Sequence, residues 1–370
     1  GGVLRAPLKY VGNKQYRASN GFVEEVNDRP EWDENTGVYV DNPEGDGTGN
    51  SGVINYLNKF GRTGTAGVYK SYDPLSELFY ESIRYLQGKA PTANATSGMT
   101  TAMQDNFQVI QNWTDPIEAS CQKNYIIAIG DANTHQDTFI PGTARTGAGR
   151  VLRAAEAATS QWPAFDVRAA TQLIADMESS SASGNSAPVA SLANMATAGT
   201  GSGGSATFYM AGAAYWAHVN DIRFDKPVRV KTFTIDVDEN GNGSIDNATR
   251  SATAPRLSQL YLTAKYGGFG DLNLDGNPFK TFDADGKTVI ANNKEWAAGN
   301  NTDPDNFFLA SNPKKMIAAI TAIFQNVTSA GGTVAGVGIS STSASDNPFV
   351  YEPGFRSDKW SGSLRKQLRF

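Results

Sequence analysis

Between residues 124 and 135 the chain reads NYIIAIGDANTH, and this stretch constrains the fold more than any other. Residues 125–129 are apolar without a break. A run that short, with polar residues on each side, suits a strand buried on both faces of a parallel sheet. Gly130 lets the backbone turn, and Asp131 then stands at the carboxyl end of the strand. That is the edge at which open α/β sheets bind ligands. An aspartate there has a plainer use as well, because its side chain shapes turns. Spacing leaves both roles open.

The composition is globular with much loop: of 370 residues 39% are hydrophobic, 19% are charged and 38 are glycine. That length fits one large or two ordinary domains. A net charge of −5 and the lack of a basic block argue against a nucleic-acid partner. No apolar run approaches a membrane span, and no signal peptide is visible. Gly1 and Gly2 lead straight into strand-like VLRAPLKY, so the segment is expected to begin inside a longer protein. Cys121 is the single cysteine, which excludes an internal disulfide and a thiolate cluster. Burial is the commonest fate of such a thiol; pairing outside the segment is the alternative. His135 and His218 are too few for a histidine-rich metal site. GxSxG, HExxH, the phosphate-binding GxxxxGKS/T and CxxC do not occur, so no enzyme is expected.

Helices and strands alternate along the chain. A short strand is expected over residues 3–10, a turn-rich loop over 41–52 and a helix from Val53. Asp73 and Pro74 are expected to cap and begin a helix whose Leu75, Leu78, Phe79, Ile83 and Leu86 face a core. Further helices are predicted over 150–158, 165–178, 206–219 and 257–266, the last stopped by Gly267 and Gly268. Residues 179–205 are low in complexity and expected on the surface. Residues 228–237, VRVKTFTIDV, form the second strong strand signal. Asn312 and Pro313 start a helix with Met316, Ile320, Ile323, Phe324 and Val327 toward the core. Strand periods follow from Thr333. The pattern is an α/β unit with a β extension.

The strongest chemical signal is DENGNGSID at 238–246. Asp238, Asn240, Asn242 and Asp246 place oxygens at loop positions 1, 3, 5 and 9; Gly243 occupies the turn, and the Ser244 carbonyl serves position 7. Calcium takes six to eight oxygens from such a loop. Position 12 is Thr249, not a bidentate glutamate, and two formal charges imply affinity of roughly 10⁻⁴ to 10⁻³ M. The competing reading is a glycine-rich hairpin with solvated aspartates. A second loop, Asp271-Leu-Asn273-Leu-Asp275-Gly276, matches positions 1, 3, 5 and 6. Position 9 is Phe279, so Asp283 or Asp285 would have to supply the fourth ligand; two consecutive turns are the alternative.

Several segments occur in a telling order: YDPLSELFYESIRYL, CQKNYIIAIGDANTH, AAYWAHVNDIR, VKTFTIDV, NPKKMIAAITAIFQNV and the tail FRSDKWSGSL. Together they resemble the PilY/PilC family of type IV pilus tip-associated proteins. The resemblance implies a doubly wound, mostly parallel sheet of von Willebrand A type over residues 1–332, lacking its first strand, with inserted loops at 135–205 and 238–310. Residues 333–370 would be a β-rich linker toward a carboxy-terminal propeller, and Trp360 a packing residue at that junction. The implied adhesion-type metal site takes Mg2+ or Ca2+. Asp131 matches its aspartate after the fourth strand. Asp73 stands where a threonine is expected, and the DxSxS motif is not among these residues. The resemblance further implies export to the cell surface at the pilus tip. Expected partners are pilus minor subunits, the propeller and a host or surface ligand, with roles in attachment, pilus biogenesis and twitching motility. A purely structural priming or capping role is the alternative.

Overall fold

The computed structural model describes residues 2–60, 73–130, 137, 139–143, 152–197, 207–237, 258–282, 289–290, 294–299, 303–329, 338–339, 349–356 and 361–368. The chain divides into two compact units, Gly1–Ser311 and Asn312–Phe370.

The first unit opens with an antiparallel pair, β1 (Lys14–Tyr16) and β2 (Glu24–Val26). The strand expected over 3–10 is reduced to a single bridge between Leu4 and Ile110. Pro7 interrupts that stretch and has no N–H to give to a ladder. Helix α1 (Val53–Lys59) follows a loop held by the Asn42 side chain, which accepts from Asp46 N–H and Ser51 Oγ. The buried carboxylate of Glu31 accepts the first two helical N–H groups, from Val53 and Ile54. An anion at that end also suits the helix dipole.

Helix α2 (Leu75–Leu86) buries Phe79, Tyr80, Ile83 and Leu86, whereas Leu78 is exposed. It starts one residue later than expected, with Pro74 at the cap position. Short helices α3 (Ala93–Thr96) and α4 (Thr101–Gln104) precede β3 (Asn124–Gly130). Cys121, just before the strand, is exposed rather than buried.

No helix forms within residues 152–158, where Glu156 instead bridges Phe165 and takes Arg84 and Lys89 as ion partners. Helix α5 (Val167–Ser179) is capped by Asp166, whose Oδ1 accepts Ala169 N–H at 3.0 Å. The low-complexity stretch after it does not lie wholly on the surface. Val189, Leu192, Met195 and Ala196 enter the core, and the buried Asn185 amide donates to the carbonyls of Met177 and Glu178. Few apolar residues suffice here because the amide takes up the helix-end carbonyls.

Helix α6 (Tyr209–Val219) is buried on nearly every side. Its Gly212 touches α5, where a Cβ would stand 2.1 Å from Thr171 Oγ1. Strand β4 (Val230–Asp236) pairs in parallel with β3, Gly130 lying opposite Asp236. Helix α7 (Gln259–Gly268) includes the two glycines expected to end it. A Cβ on Gly267 would meet Thr232 Cβ at 2.9 Å, so the helix lies directly on β4. Close approach to the strand, not chain reversal, is what these glycines provide. Strands β5 (Thr281–Phe282) and β6 (Val289–Ile290) form a small antiparallel pair, and β7 (Phe307–Leu309) joins β4 in parallel.

The parallel sheet therefore runs β3-β4-β7 among the described residues, in a mixed α/β arrangement. This corrects the expectation for residues 125–129. The stretch is parallel, but β3 is an edge strand of the described sheet, with Ile127 36% and Ile129 47% exposed. Near-complete burial belongs to β4, which has a neighbour on each side.

In the second unit, helix α8 (Pro313–Ser329) is capped by Asn312, whose Oδ1 accepts Lys315 N–H at 3.0 Å. Ala319 and Ile323 are buried, while Phe324, expected to face inward, is exposed. Strands β8 (Gly338–Ile339), β9 (Phe349–Arg356) and β10 (Ser361–Leu368) form an antiparallel sheet with β9 in the middle.

Candidate functional site

A parallel sheet has two unlike rims, and polar side chains gather at each. At the carboxyl rim, β3 ends on Gly130 against the start of α2, where a Cβ would lie 3.3 Å from Leu75 Cδ2. The first turn of α2 is served by Asp137. Its Oδ1 accepts Ser76 N–H at 3.1 Å and its Oδ2 accepts Ser76 Oγ–H at 2.8 Å. Thr207 Oγ1 donates to the same Oδ2 at 3.1 Å. The sequence assigned this capping to Asp73, whose carbonyl accepts Leu75 N–H. Ser76 Oγ in turn accepts from Met210 N–H at the start of α6 and from Gln259 Nε2 at the start of α7. Three helix amino termini thus meet one buried hydroxyl and one buried carboxylate. Burial pushes the Asp137 carboxyl up to about 7, against the lowering effect of its Ser76 and Thr207 hydrogen bonds. No local spacing in the sequence joins Asp137 to Ser76, 61 residues away.

Of the residues singled out for metal, Asp73 is half-buried at this rim. Asp131 and the loop with Asp238, Asn240, Asn242, Ser244 and Asp246 lie outside the described residues, as do Asp283, Asp285 and Trp360.

Asp271, Asn273 and Asp275 come together at the opposite rim. Phe269, just after α7, accepts from His218 Nε2 at 2.7 Å, and His218 Nδ1 lies 3.2 Å from the carbonyl of Val230, the first residue of β4. Burial lowers the affinity of that imidazole for a second proton. The loop that follows is wound on its own aspartates. Asp271 accepts N–H groups from Asp275 and Gly276, and Asp275 Oδ1 accepts Asn277 N–H at 2.8 Å. Leu274 and Gly276 adopt positive φ, 59° and 69°.

Sequence reasoning missed Glu295. Its carboxylate, 5% exposed, reaches the loop from a distant segment, and Oε1 accepts Leu272 N–H at 2.8 Å. Gly270 N–H donates to its carbonyl, so the segments are stitched together. Oε2 is buried with no hydrogen-bond partner. Burial, followed by the charges of Asp271 and Asp275, pushes the Glu295 carboxyl up to about 7. Burial and the same two charges push the Tyr215 phenol up to about 12; its hydroxyl donates to the Gly276 carbonyl. In sequence Glu295 sits in KEWAAG, with no motif around it to mark it as a ligand.

The neighbouring residue is held hard. Lys265 Nζ stands 4.0 Å from the Trp296 ring centre and 4.2 Å from that of Phe279. Trp296 therefore anchors the segment that carries Glu295.

These features define an α/β unit with a polar carboxyl rim and an acidic amino rim. Residues 1–217 match the family model described as PilY1 homolog, second domain. Over 387 aligned residues the chain is 33% identical to a type IV pilus biogenesis factor PilY1 homolog of Xylella fastidiosa, covering 98% of this chain and 30% of that protein. The chain belongs to the PilY1-type family of pilus proteins. It spans about a third of the length of that relative. No solved structure matches it.

Proposed function

We propose that this chain is a non-catalytic, exported module of a type IV pilus protein, displayed at the pilus tip. In this reading it supports pilus biogenesis, surface attachment and twitching motility. The observation that carries it is the 33% identity to a pilus biogenesis factor across nearly the whole chain. The parallel pairing of β3, which ends at Gly130, with β4 supports a von Willebrand A-type unit, whose carboxyl rim would meet a host or surface ligand. Asp131, with Asp73 nearby in sequence order to the helix start, would hold Mg2+ or Ca2+ there. Calcium in the loop at 238–246 would brace the fold, since any ligand of the native state stabilises it. Pilus minor subunits and a carboxy-terminal propeller are the partners this reading names.

Cells carrying Asp131→Ala test it. Attachment is expected to fall while pilus number and the folded state of the purified chain stay unchanged. Loss of pili with normal attachment per remaining pilus would instead favour a priming or capping role.

A further inference from the structure

Beside Tyr80 of α2 an open cleft of about 390 Å³ lies between the start of α3 and two loop segments. That volume is within the range of small-molecule sites. Residues 139–143 and 152–156 build one wall together. Gly142 N–H donates to the Ala154 carbonyl at 3.1 Å, and Arg153 N–H to the Thr143 carbonyl at 2.9 Å. Phe139, 39% exposed, and Leu152, 68% exposed, give this wall its apolar surface. The Arg153 guanidinium lies over the Phe139 ring, 4.1 Å from its centre, and steadies it. Other lining groups are polar. Glu156 Oε1 accepts from Tyr80 Oη at 2.7 Å and from Arg84 at 2.9 Å, and Oε2 accepts from Lys89 Nζ at 2.7 Å. A carboxylate has about four acceptor sites, so one is left over. Asn94 is exposed, and its amide makes no hydrogen bond among the described residues.

We propose that this cleft binds a neutral saccharide, with Phe139 and Leu152 as its apolar wall and Asn94 and Glu156 reading hydroxyl groups. Charge argues for a neutral ligand. The cations are Arg84, Lys89 and Arg153; the carboxylates are Glu77, Glu81 and Glu156. Each lines the cleft or is bonded to a residue that does, Glu77 through the Phe139 N–H and Glu81 through Thr92. The formal charges cancel, which leaves no net pull on an ion. A wholly apolar ligand would strip water from Asn94 and Glu156 without replacing its hydrogen bonds. An extended peptide docks on open backbone groups, but here those of Gly142, Thr143, Arg153 and Ala154 are paired with one another. A sugar suits both kinds of surface. Its C–H face covers Phe139 and Leu152, one hydroxyl donates to Glu156, and others exchange hydrogen bonds with the Asn94 amide, which both donates and accepts. Asp73, Asp131 and the loop at 238–246 take no part, so the site goes beyond the proposed function and does not rest on a metal at the rim.

The test is calorimetric titration of the 370-residue chain with lactose, cellobiose, maltose and diacetylchitobiose. Sialyllactose serves as the acidic arm, and an acetylated, amidated peptide of alternating serine and leucine as the peptide arm. Asn94→Ala and, separately, Leu152→Ser alter the cleft at exposed positions, so both variants are expected to fold, which circular dichroism checks. Phe324→Ser removes an exposed apolar side chain that does not line the cleft. The expected result is that at least one neutral disaccharide binds. Asn94→Ala and Leu152→Ser each weaken it roughly threefold to tenfold, and Phe324→Ser leaves it unchanged. Failure of every neutral disaccharide to bind overturns the proposal, as does affinity unchanged in both cleft variants, or preference for sialyllactose or the peptide. Saccharide binding beside undiminished attachment of Asp131→Ala cells would sink the rim reading and keep this one. Reduced attachment with no saccharide bound would do the reverse.

Discussion

Lys265 and Glu178 face each other across 2.6 Å with neither side chain exposed to solvent. Tyr266 Oη donates to the same Glu178 oxygen at 3.0 Å, and the ammonium lies against the rings of Trp296 and Phe279. Two helices and the segment carrying Glu295 are thereby tied at one point.

Breaking that pair from one side leaves an uncompensated buried charge. Lys265→Met is expected to cost about 3–5 kcal/mol in urea unfolding. Adding Glu178→Leu should return part of the loss, since a well-packed apolar pair can match a buried ionic one. Loss of the hydrogen bond from Tyr266 Oη to Glu178 keeps recovery incomplete. A double variant no more stable than Lys265→Met contradicts this account.

Asp137 makes folding sensitive to pH. Its carboxyl titrates near 7 in the folded chain, against about 3.9 when unfolded. Between those values the native state keeps a proton that the unfolded state has lost. Its contribution is complete below the unfolded pKa and is lost as pH rises through 7, by roughly 4 kcal/mol at most. Unfolding free energy measured from pH 4 to 8 should fall with rising pH. Asp137→Asn should reduce that slope, leaving the part that the Glu295 carboxyl, also raised to about 7, contributes; a slope unchanged in the variant rules Asp137 out as a source.

Gly212 leaves no room for a side chain. A Cβ would lie 2.1 Å from Thr171 Oγ1 and 2.9 Å from Thr171 N. Because backbone blocks it, Gly212→Ala is expected to destabilise by about 1–3 kcal/mol, although alanine favours helix. Gly47 has nothing within 4 Å of its Cβ position. Gly47→Ala should stay within about 0.5 kcal/mol of the parent by thermal unfolding.

On α8 adjacent residues should behave oppositely. Ile323 is fully buried, and Ile323→Ala is expected to cost about 2–5 kcal/mol. Phe324 is 58% exposed, and Phe324→Ser should change stability by less than about 0.5 kcal/mol. Equal losses would place Phe324 in a contact that its exposure denies.

Local signals were legible where local chemistry decides. The parallel pairing of β3 and β4 follows from their β-branched, apolar runs, and the Asn312 cap from Asn-Pro before a periodic stretch. The apolar run of β3 overstates its burial, because such a run does not say how many neighbours a strand has. Gly267 and Gly268 look like a helix stop in the sequence, but they lie inside α7 and allow close contact with Thr232 and Asn306, which no sequence window contains. The Asp271 loop was visible as a motif. Glu295 was not, since its partner at Leu272 is 23 residues away with no fixed register between them. Asp137 escaped notice for the same reason, and Asp73 drew the capping role only through its place before proline.

Parallel strands also give this unit a chemical polarity. Helix beginnings crowd one end around Ser76, where their N–H groups and partial positive charge meet the buried Asp137 carboxylate and the Ser76 hydroxyl. Acidic oxygens crowd the other around Glu295. Substitutions at one pole need not disturb the opposite one, so the two ends of the sheet are free to diverge separately.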